Sequence, residues 1–454
     1  MKIKFYLLAF TCMLGVFTSC DNAETDVTPD TETDTGTTGE ASPETNTEES
    51  DDYTFDSDVT YIVLNGTSIS VTGSGVTVAS SVATITAPGT YSVSGSLTDG
   101  QLVVDAATSG KVKIILNGAN VVSAANAPLY IKNATKAILY LTPETTNSLA
   151  DGSANTLDGA LYSAPKLSIW GSGTLTVTGK ADGGIVTGSG LIIEDGVYQV
   201  TATESTIKSD KNIIIDGGTF TLAAGNDGIH GEEALTFNGG NIVISKSEEG
   251  IESAAITINA GANIQLTSTD DGVNASSGDD SSDNHIYING GYLYVNATGD
   301  GIDSNGYIDM TDGVVVVNGP TTNSNGAIDY DKTFTISGGL LIAAGSSGMT
   351  QAPSTSSTQN SAKITFSSSK QANQLVRVQD ASGNNIVTFS PAKTYQSLVV
   401  SSPSLVKGSS YTVYTGGSST GTATNGLYEG GTYTAGTQSA TFTVSNAVTS
   451  VSGN

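Results

Sequence analysis

The sequence predicts an all-β protein: a single-stranded right-handed parallel β-helix, a solenoid of about 22 residues per coil closed by β caps. Three observations predict it. A short motif returns on a fixed interval, as Asn226-Asp227-Gly228-Ile229, Glu248-Glu249-Gly250-Ile251 and Asp270-Asp271-Gly272-Val273. With its β-branched residue as marker, the series runs Ile185, Ile207, Ile229, Ile251, Val273, Ile302 and Ile328, at intervals of 22, 22, 22, 22, 29 and 26. Thr206 and Ala327 stand where Gly precedes the marker elsewhere. The two long intervals carry visible insertions, residues 277–283 and a loop at Pro320-Thr321-Thr322. Second, apolar residues alternate with period two: Phe220, Ile242 and Ile264 fall 22 apart, as do Leu222, Ile244 and Leu266, so both sets stack inward. Third, the composition is that of strands and turns, and Gly217-Gly218 and Gly239-Gly240 precede two of these strands.

In chain order, residues 1–20 read as an export signal. Lys2 and Lys4 precede a short apolar run, Phe5 to Phe17, too short to span a bilayer. Phe17-Thr18-Ser19-Cys20 resembles a bacterial lipobox, which makes Cys20 the expected lipidation site; the alternative is plain signal cleavage near Ser19. Residues 21–58 carry fourteen Asp or Glu and no Lys or Arg, and read as a disordered acidic tether. Residues 59–100 are expected to form an N-terminal β cap and 101–349 the solenoid. Residues 350–373, rich in Ser, Thr and Gln, read as a loop, and 374–454 as a C-terminal β segment and tail about whose last forty residues little can be read. The expected product is an exported, lipid-anchored monomer of the bacterial cell envelope, touching a membrane only through its lipid.

A net charge of −27 excludes nucleic acid as a partner, because phosphate binding needs basic patches. The only cysteines, Cys12 and Cys20, lie in the signal segment, so no disulfide staples the body. Coils about 4.8 Å apart make residues 22 apart near neighbours. The positions around each marker then line up as an acidic ridge: Asp227, Glu249, Asp271 and Asp300 two before it, and His230, Glu252, Asn274 and Asp303 one after. Unit charges 5 Å apart repel by roughly 3 kcal/mol at an effective dielectric of 20. A solvated turn tolerates that; converging side chains call for a hard cation. Calcium takes six to eight oxygens, which carboxylates, Asn amides and turn carbonyls supply, while two histidines and no free thiol argue against zinc or copper. The expected ion is Ca2+, on Asp227, Glu249, Asp271, Asp300, Glu252, Asn274 and Asp303.

The repeated D-G-I…GG pattern, with Asp99-Gly100-Gln101-Leu102-Val103-Val104, Lys113-Ile114-Ile115-Leu116-Asn117-Gly118 and Phe389-Ser390-Pro391-Ala392-Lys393-Thr394-Tyr395, resembles a family of secreted bacterial carbohydrate-binding proteins with a right-handed β-helix fold. The resemblance covers roughly residues 61–417. It implies a calcium-associated protein that binds cellulose and acidic, pectin-like sugars, with pectate-lyase-like architecture and no established catalysis. In that reading an ion on the ridge bridges to a sugar carboxylate. Tyr287, Tyr292, Tyr294 and Tyr307 alternate with inward residues and form the expected stacking platform, though Tyr is also simply a good strand residue. Two other function classes stay open. A calcium-dependent polysaccharide lyase acting on uronates needs a base, and Lys208, one coil before His230, is the candidate; carboxylates beside it favour its charged form and a role as ion-pair partner. A structural or adhesive scaffold needs only the rigid solenoid.

Overall fold

The computed structural model describes residues 58–106, 110–277 and 284–454. The export signal, Cys20 and the tether up to residue 57 lie outside the described residues. Among the described residues there is no helix, so none is long and apolar enough to cross a membrane. The chain winds as a parallel β-solenoid of about 10 turns at a spacing of about 24 residues. The average exceeds 22 because coils on either side of the regular run are longer: Leu129 pairs with Leu161 and Leu161 with Ile185 before it, and Val273 with Ile302 after it.

Three inward columns build the core. The markers Ile185, Ile207, Ile229, Ile251, Val273 and Ile302 stack in direct register. Ile193, Ile215, Phe237, Ile258, Ile288, Met310 and Ile336 form the second column. Leu175, Tyr198, Phe220, Ile242, Ile264, Leu293, Val315 and Leu341 form the third. All are buried. A single coil cannot hide its apolar side chains; each is covered by the same position in the coil above and below. The Tyr198 and Phe220 rings stack with centroids 4.7 Å apart and planes within 10°, and the Tyr198 hydroxyl donates to the Asp195 carbonyl at 2.6 Å. Phe220→Ala, which empties this layer, is expected to cost about 3–5 kcal/mol, read as a lower urea midpoint.

The Gly of the repeated motif has a steric reason. Gly228, Gly250, Gly272 and Gly301 stack directly, and a Cβ on any of them would collide with the carbonyl of the residue beneath, Gly250, Gly272, Gly301 and Ala327 respectively. That carbonyl accepts the marker's N–H, so the coils cannot part to make room. Thr206 fits the same column because its hydroxyl donates to the Gly228 carbonyl. At the turns, Asp216, Asn238, Asn259 and Asn289 form a side-chain ladder with bonds of 2.7, 2.7 and 3.1 Å.

Both ends differ from the sequence expectation. The region expected to be an N-terminal β cap, 59–100, also supplies parallel ladder: Val59–Gly66 pairs with Gly89–Leu97, and Val82–Ile85 with Gln101–Asp105. Ile62, Leu64, Ala83 and Ile85 point into the common core, which is why these strands join it. Only the strands Ile69–Thr72 and Val76–Ala79 turn back antiparallel. The expected loop at 350–373 contains the strand Ser361–Lys370, whose Ala362, Ile364 and Phe366 are buried beneath a Ser/Thr/Lys outer face. It pairs antiparallel with Tyr395–Ser401, which in turn pairs antiparallel with the last coil strand, Leu340–Gly345.

Residues 374–454 are strand throughout much of their length. A six-stranded antiparallel sheet includes Val376–Asp380, Asn385–Phe389, Ser410–Ser419 and Tyr433–Thr443. Its Val378, Val387, Phe389 and Val413 form a second core with the outward-facing Val316 and Ile342 of the solenoid. The lobe is fastened there: the Asn318 carboxamide oxygen accepts the Ala392 N–H at 2.7 Å, and Lys393 Nζ donates to the Ala297 carbonyl. Burial lowers the Lys393 pKa to about 8.

Candidate cation and carbohydrate site

The ladder places the ridge residues as the 22-residue interval demands. Lys208, His230, Glu252, Asn274 and Asp303 are successive partners on one strand face. The side chains do not form one continuous site. They divide into two clusters, Asp227–His230–Glu252 and Asp271–Asp300–Asp303, each with ligand-type atoms within 4.8 Å of one another.

The first cluster carries its own cation. His230 Nδ1 lies 3.2 Å from Asp227 Oδ2 and 3.0 Å from Glu252 Oε2. Burial works against a charged ring, but the two carboxylates override it and raise the His230 pKa to about 10. The resulting imidazolium lowers the Glu252 pKa in return, helped by the Ser276 hydroxyl at 2.9 Å. Asp227 also accepts from Ser205 Oγ at 2.9 Å. Asp227 and Glu252, expected as metal ligands, are thus already held by a cation the protein carries. Lys208 lies one coil before, and its charge adds to the lowering at Glu252.

The second cluster holds no such cation. Asp271 and Asp300 each use Oδ1 to accept a backbone N–H from the next coil, that of Asp300 at 2.6 Å and that of Gly326. Asp303 is the unusual member. Burial raises its pKa, and Asp271, Asp300, Asp329 and Asp331 raise it further, to about 7. Asp271 is raised to about 6, first by burial and then by Asp300, Asp270 and Asp329 against the backbone bond that lowers it. Glu249 is raised to about 7, chiefly by burial, despite Asn274 Nδ2 donating to its Oε2 at 3.0 Å. Asn274 is only 8% exposed, and no protein donor reaches its amide oxygen. Asn274 and Asp303 are ladder partners.

This donor set fits a hard divalent cation: three carboxylates in close convergence and, from the neighbouring coil, a buried carboxamide oxygen without a donor. Of the seven expected ligands, Asp271, Asp300 and Asp303 converge, Asn274 and Glu249 adjoin them, and Asp227 and Glu252 belong to the histidine clamp. The clamping role of His230 escaped the sequence reading; its 22-residue offsets from Lys208 and Glu252 were the available signal.

The four tyrosines also divide. Tyr292 and Tyr294 pack against the C-terminal lobe, and the Tyr292 hydroxyl accepts from Asn425 Nδ2 at 3.1 Å. Burial raises both phenol pKa values. A four-ring platform is therefore not formed, because the lobe covers half of it. Tyr287 and Tyr307 lie on a different face beside His285, with centroid distances of 3.8 and 5.4 Å. His285 Nε2 is 2.7 Å from Asp309 Oδ2, and Lys332 Nζ lies 4.9 Å from the Tyr307 ring centre.

Comparison with known proteins bears on what such a surface serves. A family model described as "Carbohydrate-binding domain-containing protein" matches residues 79–254 and 226–447. A curated protein of that description from Acetivibrio thermocellus is 33% identical over 136 residues, covering 28% of this chain and 48% of the relative. The chain thus spans about half the length of that relative. A solved polysaccharide lyase-like protein from C. thermocellum, a gadolinium derivative, shares 28% identity over 46% of this chain and 90% of its own, with a TM-score of 0.44. With nearly the whole solenoid and most of the C-terminal lobe inside the two family matches, the chain belongs to the carbohydrate-binding domain-containing protein family.

Proposed function

We propose that this chain is a calcium-dependent, non-catalytic polysaccharide-binding module, with Asp271, Asp300 and Asp303 holding the ion. The observation that carries the reading is the convergence of Asp271, Asp300 and Asp303, with ligand-type atoms within 4.8 Å of one another; neighbouring carboxylates and half-burial both oppose the charge on Asp303. Calcium there relieves that repulsion and offers a positive site to a uronate carboxylate. Without it, so acidic a surface repels pectin-like sugars. Asn274 supplies a neutral oxygen, and Glu249 lies behind it. Tyr287, Tyr307 and His285 present ring edges and faces to neutral sugar rings, as in cellulosic chains. Export and anchoring through Cys20 at the cell envelope belong to the same proposal.

The lyase alternative needs an unprotonated base near the uronate. His230 keeps its proton up to about pH 10, which disfavours it as that base. The test is retention of the chain from Asp21 onward on polygalacturonate and on cellulose, with calcium and with chelator. Retention in calcium with uncleaved sugar is expected. Loss of retention in both conditions would leave the scaffold reading, and new unsaturated ends absorbing in the ultraviolet would replace binder with lyase.

A further inference from the structure

The histidine clamp has the dimensions of a coordination shell. Asp227 Oδ2 and Glu252 Oε2 lie 3.2 and 3.0 Å from His230 Nδ1. Ligands about 2.1 Å from one ion, at octahedral to tetrahedral angles, stand about 3.0–3.4 Å apart. Both carboxylates are held from behind: Ser205 Oγ donates to Asp227 Oδ2 and Ser276 Oγ to Glu252 Oε1, each at 2.9 Å. On the far side of the ring, Nε2 is 3.6 Å from Glu232 Oε2. A carboxylate beside one imidazole nitrogen is the arrangement that orients the other nitrogen towards a metal. A neutral residue marks the same place. Ser163, Thr187, Ser209, Ser253 and Ser304 share one ladder column. Four of these hydroxyls donate to turn carbonyls, those of Pro165, Ser189, Ser189 and Tyr307. Ser253 is 1% exposed, and no partner reaches its Oγ. With His230, Glu232, Glu252 and Ser276 it lines a hollow of about 80 Å3, room for at least one water.

We propose that Asp227, His230 and Glu252 form a second metal centre, for a first-row divalent ion of the zinc type rather than calcium, with its open coordination position on this hollow. Calcium takes oxygen ligands, whereas zinc accepts imidazole and carboxylate together and can keep three protein ligands and a water. The ion must displace the proton that the ring carries. The two carboxylates that hold that proton attract a doubly charged ion more strongly, and their charges then balance it. Water bound at the open position finds an acceptor in Ser253 Oγ. The scarcity of histidine argued against zinc in the sequence; the fold sets one of the two histidines between two carboxylates.

The test uses the chain from Asp21 onward, which keeps every described residue and neither cysteine. Zinc alone is the probe, titrated calorimetrically in excess calcium, so that the result does not depend on what Asp271, Asp300 and Asp303 hold. One zinc per chain is expected, bound at least a hundredfold more weakly by His230→Gln. Glu232→Gln changes an exposed side chain and spares the fold; it should weaken binding about 10–100-fold. The chain has two histidines, so the imidazole signals in NMR give the location. One equivalent of zinc should shift the His230 ring and leave the His285 ring in place. No zinc binding in excess calcium would overturn the proposal. So would equal binding by wild type and both variants, or a shift of the His285 ring alone.

Discussion

Asp303→Asn is expected to abolish the response to calcium and, in chelator at pH 8, to make the protein more stable than wild type. The two effects share one cause. The folded-state pKa values of Asp303, Glu249 and Asp271 lie at about 7, 7 and 6, above the roughly 4 of an unfolded carboxyl. The folded state therefore binds more protons between about pH 4 and pH 7. Without an ion, stability is greatest on the acid side of that window and falls as pH rises through about 7. Asparagine removes the charge that is resisted, for a gain on the order of 2–4 kcal/mol at pH 8. Calcium reverses the sign in wild type, because it must displace those protons and then holds the carboxylates ionised. Its affinity should climb between about pH 5.5 and 7.5 and drop at least a hundredfold in the variant. Urea unfolding at pH 5 and pH 8, with calcium and with chelator, checks both. A wild-type curve indifferent to calcium at pH 8 would sink the ion site.

Gly250→Val is expected to be among the most damaging single substitutions in the chain. Its Cβ would fall within the van der Waals envelope of the Gly272 carbonyl and press on the Leu266 side chain. Neither can withdraw: the carbonyl accepts the Ile251 N–H, and Leu266 is a buried core residue. Overpacking against backbone costs about 3 kcal/mol or more. Because each coil is covered only by its neighbours, the break should split the solenoid there. Loss of soluble protein, or a new protease-sensitive point near residue 250, is the expected readout. Thr206→Val tests the same column more gently: it keeps the volume but removes the hydroxyl that meets the Gly228 carbonyl.

The repeat made the coil core legible. Once Ile229, Ile251 and Val273 are seen on one beat, the stacking of Phe220 on Ile242 follows from the interval alone. The same arithmetic placed Glu252, Asn274 and Asp303 side by side. It could not tell which carboxylates the protein satisfies itself, because that depends on the His230 ring turning towards Asp227 and Glu252. The Tyr292 and Tyr294 positions were read correctly as outward, but outward proved to mean under another lobe. No local signal marks a surface that a distant, non-repeating segment will cover. The strand Ser361–Lys370 was missed for a related reason: its polar residues dominate the composition, while its buried apolar residues are only Ala362, Ile364 and Phe366.

The antiparallel pairing of Tyr395–Ser401 with Leu340–Gly345 bears on growth as well as on shape. A stack of parallel strands ends in unpaired amides and carbonyls that suit the first strand of another copy, so an unguarded solenoid is a monomer unit for filaments. A strand running the wrong way is a chain terminator: it uses those groups and offers the next copy the wrong register. At the other end, the reversal of Ile69–Thr72 against Val59–Gly66 does the same. Cutting away residues 350–454 should therefore bare one end and yield concentration-dependent pairing through it, with further growth stopped by the reversed strand that remains at the other end.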